Sequence, residues 1–190
     1  MSLVTYALVT LDNAKDFLGI TGSSKDTLLE MLINQATEYI EKYCNRRFAE
    51  TTYTEQTYDG TKSKELQLKQ FPIITFTLLQ VNNSVDNTDN WDDVEADDYW
   101  VEDDTSIITK TTMFVTGKQN YRATYTAGYA NIPYDLQLAC LTLVSQALNK
   151  RKAGGVKSES LGDHSITFED SLQRDGVLKS ILANYRSIWI

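Results

Sequence analysis

The sequence predicts an α+β fold: a helical bundle with an antiparallel β-rich insertion between the second and third helices. Three observations carry that expectation. Apolar residues recur at helical spacing toward both ends of the chain, over 26–48 and 133–152. Between them, from Thr51 to Tyr129, Thr, Tyr, Val, Ile and Phe dominate, and turn residues punctuate short runs. The 190 residues, 42% of them hydrophobic, suffice for one domain with a real core. The expected organisation is a single domain in three parts, with N-terminal helices over 1–50, the β-rich insertion over 51–130, and C-terminal helices with an intervening hairpin over 131–190.

Thr10 to Leu18 reads as a short helix that Thr10 caps and Gly19 ends, with Leu11, Ala14, Phe17 and Leu18 on one face. The stretch DTLLEMLINQATEYIEKYCNRRF gives the strongest periodic signal, placing Leu29, Leu32, Ile33, Ala36, Ile40, Tyr43 and Cys44 on a stripe. Arg46 and Arg47 suit the negative end of its dipole. Strands are expected at Thr52–Tyr58, Glu65–Leu68, Ile73–Val81, Tyr99–Glu102, Ser106–Ile108 and Asn120–Thr126, with turns at Asp59-Gly60, Asn82-Asn83 and Asp103-Asp104. Pro133 opens a third helix whose stripe runs through Leu136, Ala139, Cys140, Leu143, Val144, Ala147 and Leu148. Lys150-Arg151-Lys152 closes it and Gly154-Gly155 breaks it. Val156 to Glu169 reads as a hairpin turning at Gly162-Asp163, and a last helix runs from about Asp175 to Ser187.

The formal net charge of −8 belongs to one stretch. Asp86, Asp89, Asp92, Asp93, Glu95, Asp97, Asp98, Glu102, Asp103 and Asp104 fall within 19 residues that hold no Lys or Arg. Without these ten, 16 acidic residues face 18 basic ones. An acidic total excludes a sequence-tolerant nucleic-acid binder, which needs cations against phosphates. The opening MSLVTYALVTLDNAK lacks the basic and apolar regions of a signal peptide. No run approaches the roughly 20 apolar residues of a membrane span. Cys44 and Cys140, the only cysteines, fall on helical apolar stripes and read as free core thiols in a reducing compartment.

Catalytic and ligand motifs are sparse. His164, the only histidine, sits in Gly162-Asp163-His164-Ser165, where a polar hairpin turn accounts for it and no Gly-x-Ser-x-Gly elbow accompanies it. One histidine and two distant cysteines do not make a zinc centre, and the run Asp86, Thr88, Asn90, Asp92 lacks the glycine and terminal glutamate of an EF-hand loop. No phosphate-cradling glycine loop occurs, so no cofactor is expected. The strand tyrosines Tyr53, Tyr58, Tyr99, Tyr121, Tyr125 and Tyr129 fit packing better than a stacking platform. The chain ends on an amphipathic helix followed by Ile188, Trp189 and Ile190. Such large apolar groups either fold back onto the core or dock on a partner.

The run VTLDNAKDFLGI, followed by DTLLEMLINQATEYIEKYCNRRF, resembles the opening of the head–tail connector (adaptor, or head-completion) proteins of tailed bacteriophages and prophages. Tyr125-Thr126-Ala127-Gly128-Tyr129, then Ile132-Pro133-Tyr134-Asp135-Leu136 and an apolar helix, is similar to the same family. The resemblance spans about Leu8 to Lys152 and is weaker over the acidic stretch and 156–169. It implies a structural virion protein of the neck, not an enzyme, made in the host cytoplasm. Such proteins form a ring, typically dodecameric, beneath the portal, extend the DNA channel and present a surface to the next neck or tail protein. Isolated subunits can be monomeric, with the portal as template. By that resemblance Leu178, Ile181, Leu182, Tyr185, Ile188 and Trp189 are candidate portal-docking residues, and Gly162, Asp163 and His164 are candidates for facing the channel. The alternative is a tail-completion or adhesion-type structural protein whose β-unit binds a protein or glycan.

Overall fold

The computed structural model describes residues 2–84, 90–154 and 175–187. They form two compact units, one from Met1–Ala49 with Asn131–Ile190, the other from Glu50–Ala130.

The helical unit holds α1 (Leu11–Leu18), α2 (Asp26–Cys44), α3 (Tyr134–Gly154) and α4 (Gly176–Asn184). Each end has a local cause. The Thr10 hydroxyl accepts from the Asn13 N–H at 3.1 Å, and Gly19 leaves α1 in the left-handed region that only glycine enters freely. Asp26 in the first turn of α2 pairs with Lys15 of α1 at 2.8 Å. Asn45 ends α2 at a φ of 54°, its N–H returning to the Glu41 and Lys42 carbonyls. Asp175 caps α4 by accepting from the Val177 and Leu178 N–H groups, both at 3.1 Å. The stripes then face one another: Leu29, Ile33, Ala36 and Ile40 of α2 are buried with Leu136, Cys140, Leu143 and Val144 of α3 and Leu178 and Leu182 of α4. Buried Thr37 serves the same core by accepting from the Leu8 N–H, which fixes the N-terminal segment.

The β unit holds β1 (Thr51–Gly60), β2 (Glu65–Gln67), β3 (Ile73–Asn82), β4 (Trp91–Asp93), β5 (Tyr99–Glu102), β6 (Ile107–Lys110) and β7 (Gly117–Ala127), with a 3₁₀ turn at Ala96–Asp98. The expectation of a helical bundle with one β-rich insertion is corrected here: the strands make two antiparallel sheets, ordered β1-β7-β3-β4 and β2-β6-β5, and the fold is a mixed α+β protein with four described helices. The physical reason is burial on alternate residues. Tyr121, Ala123, Tyr125 and Ala127 of β7 point inward, as do Leu66 of β2, Ile108 of β6 and Val101 of β5. Two inner faces therefore meet over one core, and the short strands are its second layer.

Individual strands differ from the sequence reading. β1 continues through Asp59-Gly60, which reads as a turn, because Gly60 pairs with Gly117. A Cβ on Gly60 would lie 1.8 Å from the Val115 carbonyl oxygen, so only glycine lets the chain pass there. β4 emerges from within the acidic stretch, pairing Trp91–Asp93 with Asn82–Gln80 of β3.

Candidate assembly surfaces

The C-terminal candidates fall into distinct environments. Leu178 and Leu182 are buried within the helical unit, Leu182 completely. Ile181 and Tyr185 are half-buried. Ile188 and Trp189 lie outside the described residues, as do Gly162, Asp163 and His164. The structure therefore places Leu178, Ile181 and Leu182 on one helix with Tyr185 just past its end, and Leu178 and Leu182 serve the unit's own core.

The segment after α4 is held at several points. The Tyr185 hydroxyl donates to both carboxylate oxygens of Asp135, each at 2.8 Å, joining the end of α4 to the start of α3. The Phe48 and Tyr185 rings meet edge to face with centroids 5.9 Å apart. Arg186 lies 5.9 Å from the Tyr43 ring, and the Ser187 N–H donates to the Cys44 carbonyl at 2.8 Å. The Cys44 thiol reaches the Leu182 carbonyl at 3.5 Å. Ser187 is thus held beside the end of α2.

The titratable groups of this unit serve packing. Burial pushes the Cys44 thiol up to about 12 and the Cys140 thiol likewise to about 12, so neither is a thiolate near neutrality. Burial also raises Glu41 above the usual carboxylate range, although the Phe48 N–H donates to it at 3.2 Å and Arg47 stands 3.7 Å away. Arg47 in turn stacks 3.9 Å from the Tyr6 ring centroid. Within the β unit, the Tyr58 and Tyr125 hydroxyls lie 2.8 Å apart, and both donate to the Gln56 side-chain oxygen. Burial lifts Tyr58 to about 12, and Tyr125 is raised also. These are interior hydrogen-bond partners, not poised acids or bases.

The outward features are apolar and acidic. On the helical unit Tyr134 and Leu138, one turn apart on α3, are exposed, Tyr134 by 88%. On the β unit Trp100, Met113 and Val115 are exposed. The eight described carboxylates between Asp92 and Asp104 all face solvent. Two are tied down where Gln80 donates to Asp93 at 2.7 Å and Asn83 to Asp92 at 2.8 Å. Among the described residues no group of three or more His, Cys, Asp or Glu could hold a metal ion, and no helix is long and apolar enough to cross a membrane. Sequence reading missed Tyr134, Met113 and Val115. Tyr134 follows the Pro133 helix start, and Met113 and Val115 flank Phe114 in strict alternation, a signal short enough to pass as loop.

Buried titratable groups that serve packing, with apolar side chains displayed at the surface, suit a protein that assembles with others. The chain belongs to the head completion protein family, whose model matches residues 7–188. Its role is that of a structural head–tail connector. It is similar to a chain in the neck of an empty gene transfer agent (GTA) particle computed with C6 symmetry, with a TM-score of 0.60 and 18% identity over 100% of this chain and 95% of the other. It is also similar to a chain in the neck of a native GTA particle computed with C12 symmetry, with a TM-score of 0.56 and 16% identity over 100% and 94%. A chain from the virion of a native GTA particle gives 0.55 and 15% over 100% and 95%. At such identities the likeness establishes the fold. No curated protein matches the chain.

Proposed function

We propose that the protein closes into a ring at the neck of a phage or phage-like particle, between portal and tail, and continues the channel through which DNA passes. The observation that carries this reading is family membership across residues 7–188, joined to a fold shared end to end with chains from necks computed with C6 and C12 symmetry. A ring of identical subunits needs two different patches per chain and a rotation that closes. Docking on the portal falls to the C-terminal segment from Asp175 onward. Leu178 and Leu182 fix its helix to the unit, and the Cys44 carbonyl holds the Ser187 N–H. Exposed Tyr134 and Leu138 are material for a second contact. The solvent-facing carboxylates suit a protein that DNA slides past, because cations there would add phosphate affinity through counterion release. Deleting the gene from the particle that encodes it tests the role: DNA-filled heads and free tails should accumulate unjoined, and supplying the protein should restore joining. Normal joining without it would refute the role.

A further inference from the structure

Charge is divided among the strands by their place in the two sheets. The orders β1-β7-β3-β4 and β2-β6-β5 leave β1, β4, β2 and β5 at the edges. Every Asp or Glu within a described strand lies on one of these: Glu55 and Asp59 on β1, Glu65 on β2, Asp92 and Asp93 on β4, and Glu102 on β5. All of them are exposed. The interior strands β3, β6 and β7 hold none, and the strand cations Lys110, Lys118 and Arg122 all lie on β6 or β7. A strand laid along any of the four would therefore face carboxylates and no cation in its immediate neighbour.

The backbone of the longest edge is broken at the same places. β1 has 10 residues, and its register with β7 shifts between Tyr53 and Gln56 and again between Tyr58 and Gly60. Glu55 falls within the first irregularity, at a φ of 51°, and Asp59 within the second. The other long stretch is the part of β3 that β4 does not reach, since β4 pairs with only Gln80, Val81 and Asn82. That part carries no charge, and there the register with β7 shifts between Ile73 and Thr75 and between Phe76 and Leu78. Irregular backbone thus stands where charge is missing. The remaining edges are short, with 3 residues in β2, 3 in β4 and 4 in β5. Short strands, bulges and charged side chains are the means by which sheets avoid joining edge to edge.

We propose that the edge carboxylates keep copies of this chain from pairing through their sheets, so that free subunits stay apart and assembly is left to other surfaces. Two copies meeting at β1 would bring Glu55 and Asp59 of each into one ladder, where like charges oppose pairing. The inference concerns the free subunit and does not rest on the ring reading. Asp97, Asp98, Asp103 and Asp104 lie off the strands and have no part in it.

Neutralising β1 in the full chain tests it. Glu55→Gln with Asp59→Asn keeps side-chain oxygens for the Arg122 and Gln119 contacts while removing both charges. This variant should self-associate with a constant about tenfold or more above wild type in sedimentation velocity, as opposed like charges disappear. Hydrogen exchange should slow along Thr51–Gly60 as it does so, because the edge amides gain partners. Asp97→Asn with Asp98→Asn removes the same charge off the strands and should associate as wild type does. Adding Thr54→Lys, at an exposed position of β1, to the neutral variant should part the copies again. An unchanged constant in the neutral variant would overturn the proposal. An equal rise in the off-strand control would do so as well, since net charge alone would then govern solubility. Association that persists with Thr54→Lys, or that slows exchange outside β1 only, would place the contact elsewhere and equally refute it.

Discussion

Tyr185 donates its hydroxyl to both oxygens of the Asp135 carboxylate, across 50 positions of sequence, and so fastens the last described helix to the first turn of α3. A hydrogen bond to a charged group contributes more than a neutral one, on the order of 1.5–3 kcal/mol when buried. Here the pair is half-buried, so Tyr185→Phe should destabilise the protein by about 1–2 kcal/mol, read as a lower urea midpoint at unchanged slope. No change in midpoint would mean that α4 is held by Leu178 and Leu182 alone.

Burial separates folding effects from docking effects on the same unit. Leu182 is fully buried, so Leu182→Ala should cost about 2–5 kcal/mol and reduce assembly only by unfolding the subunit. Tyr134→Ala, at an 88% exposed position, should stay within about 0.5 kcal/mol of wild type. If Tyr134→Ala also unfolds the protein, its side chain packs and is not a displayed surface.

One face of the four-stranded sheet is laced by a polar chain. Arg122 on β7 donates through Nε to Gln80 on β3 at 2.6 Å, stacks 4.5 Å from the Trp91 ring, and pairs with Glu55 on β1 at 3.2 Å, while Gln80 donates onward to Asp93 on β4. The Glu55 carboxylate is largely exposed, so Glu55→Ala should cost under about 1 kcal/mol. Arg122→Lys keeps the charge but loses the planar stack and the Nε donor, and should cost more, about 1–2 kcal/mol. Equal losses in the two variants would show that charge alone matters there.

The buried thiols and Glu41 give two solution tests. With both thiols at about 12, neither cysteine should react with a thiol reagent at pH 8 until the protein is unfolded, when both should. Glu41, raised by burial, is disfavoured as an anion in the fold. Its contribution is favourable below the unfolded value of 4.5 and is lost as pH rises through the higher folded-state value. Wild type should therefore lose stability relative to Glu41→Gln as pH climbs above 4.5, measured as paired urea midpoints. Parallel curves would show that Glu41 titrates normally.

How much of this was legible in the chain depends on whether the signal is local. The stripe from Leu29 to Cys44 and the Thr10 and Gly19 caps state their helix directly, because every partner lies within a turn or two. β4 could not be read: Trp91-Asp92-Asp93 has no apolar alternation and exists only by pairing with Asn82–Gln80. The division of seven strands into two sheets is likewise decided by distant pairings such as Leu66 with Ile108. The amphipathic stripe of the last helix says that Leu178 and Leu182 are covered. It does not say whether the cover is the protein's own core or another molecule, and here it is the core. The displayed apolar side chains were the least legible, because Met113 and Val115 become displayed only once Phe114 is known to be inside.

Cryo-electron microscopy of particles that carry this chain tests the connector role most directly. The reconstruction should contain this two-sheet α+β fold as a closed ring between portal and tail, repeated with the symmetry of the neck. A neck fully accounted for by other chains, with this fold found at the distal tail or missing from the particle, would contradict it.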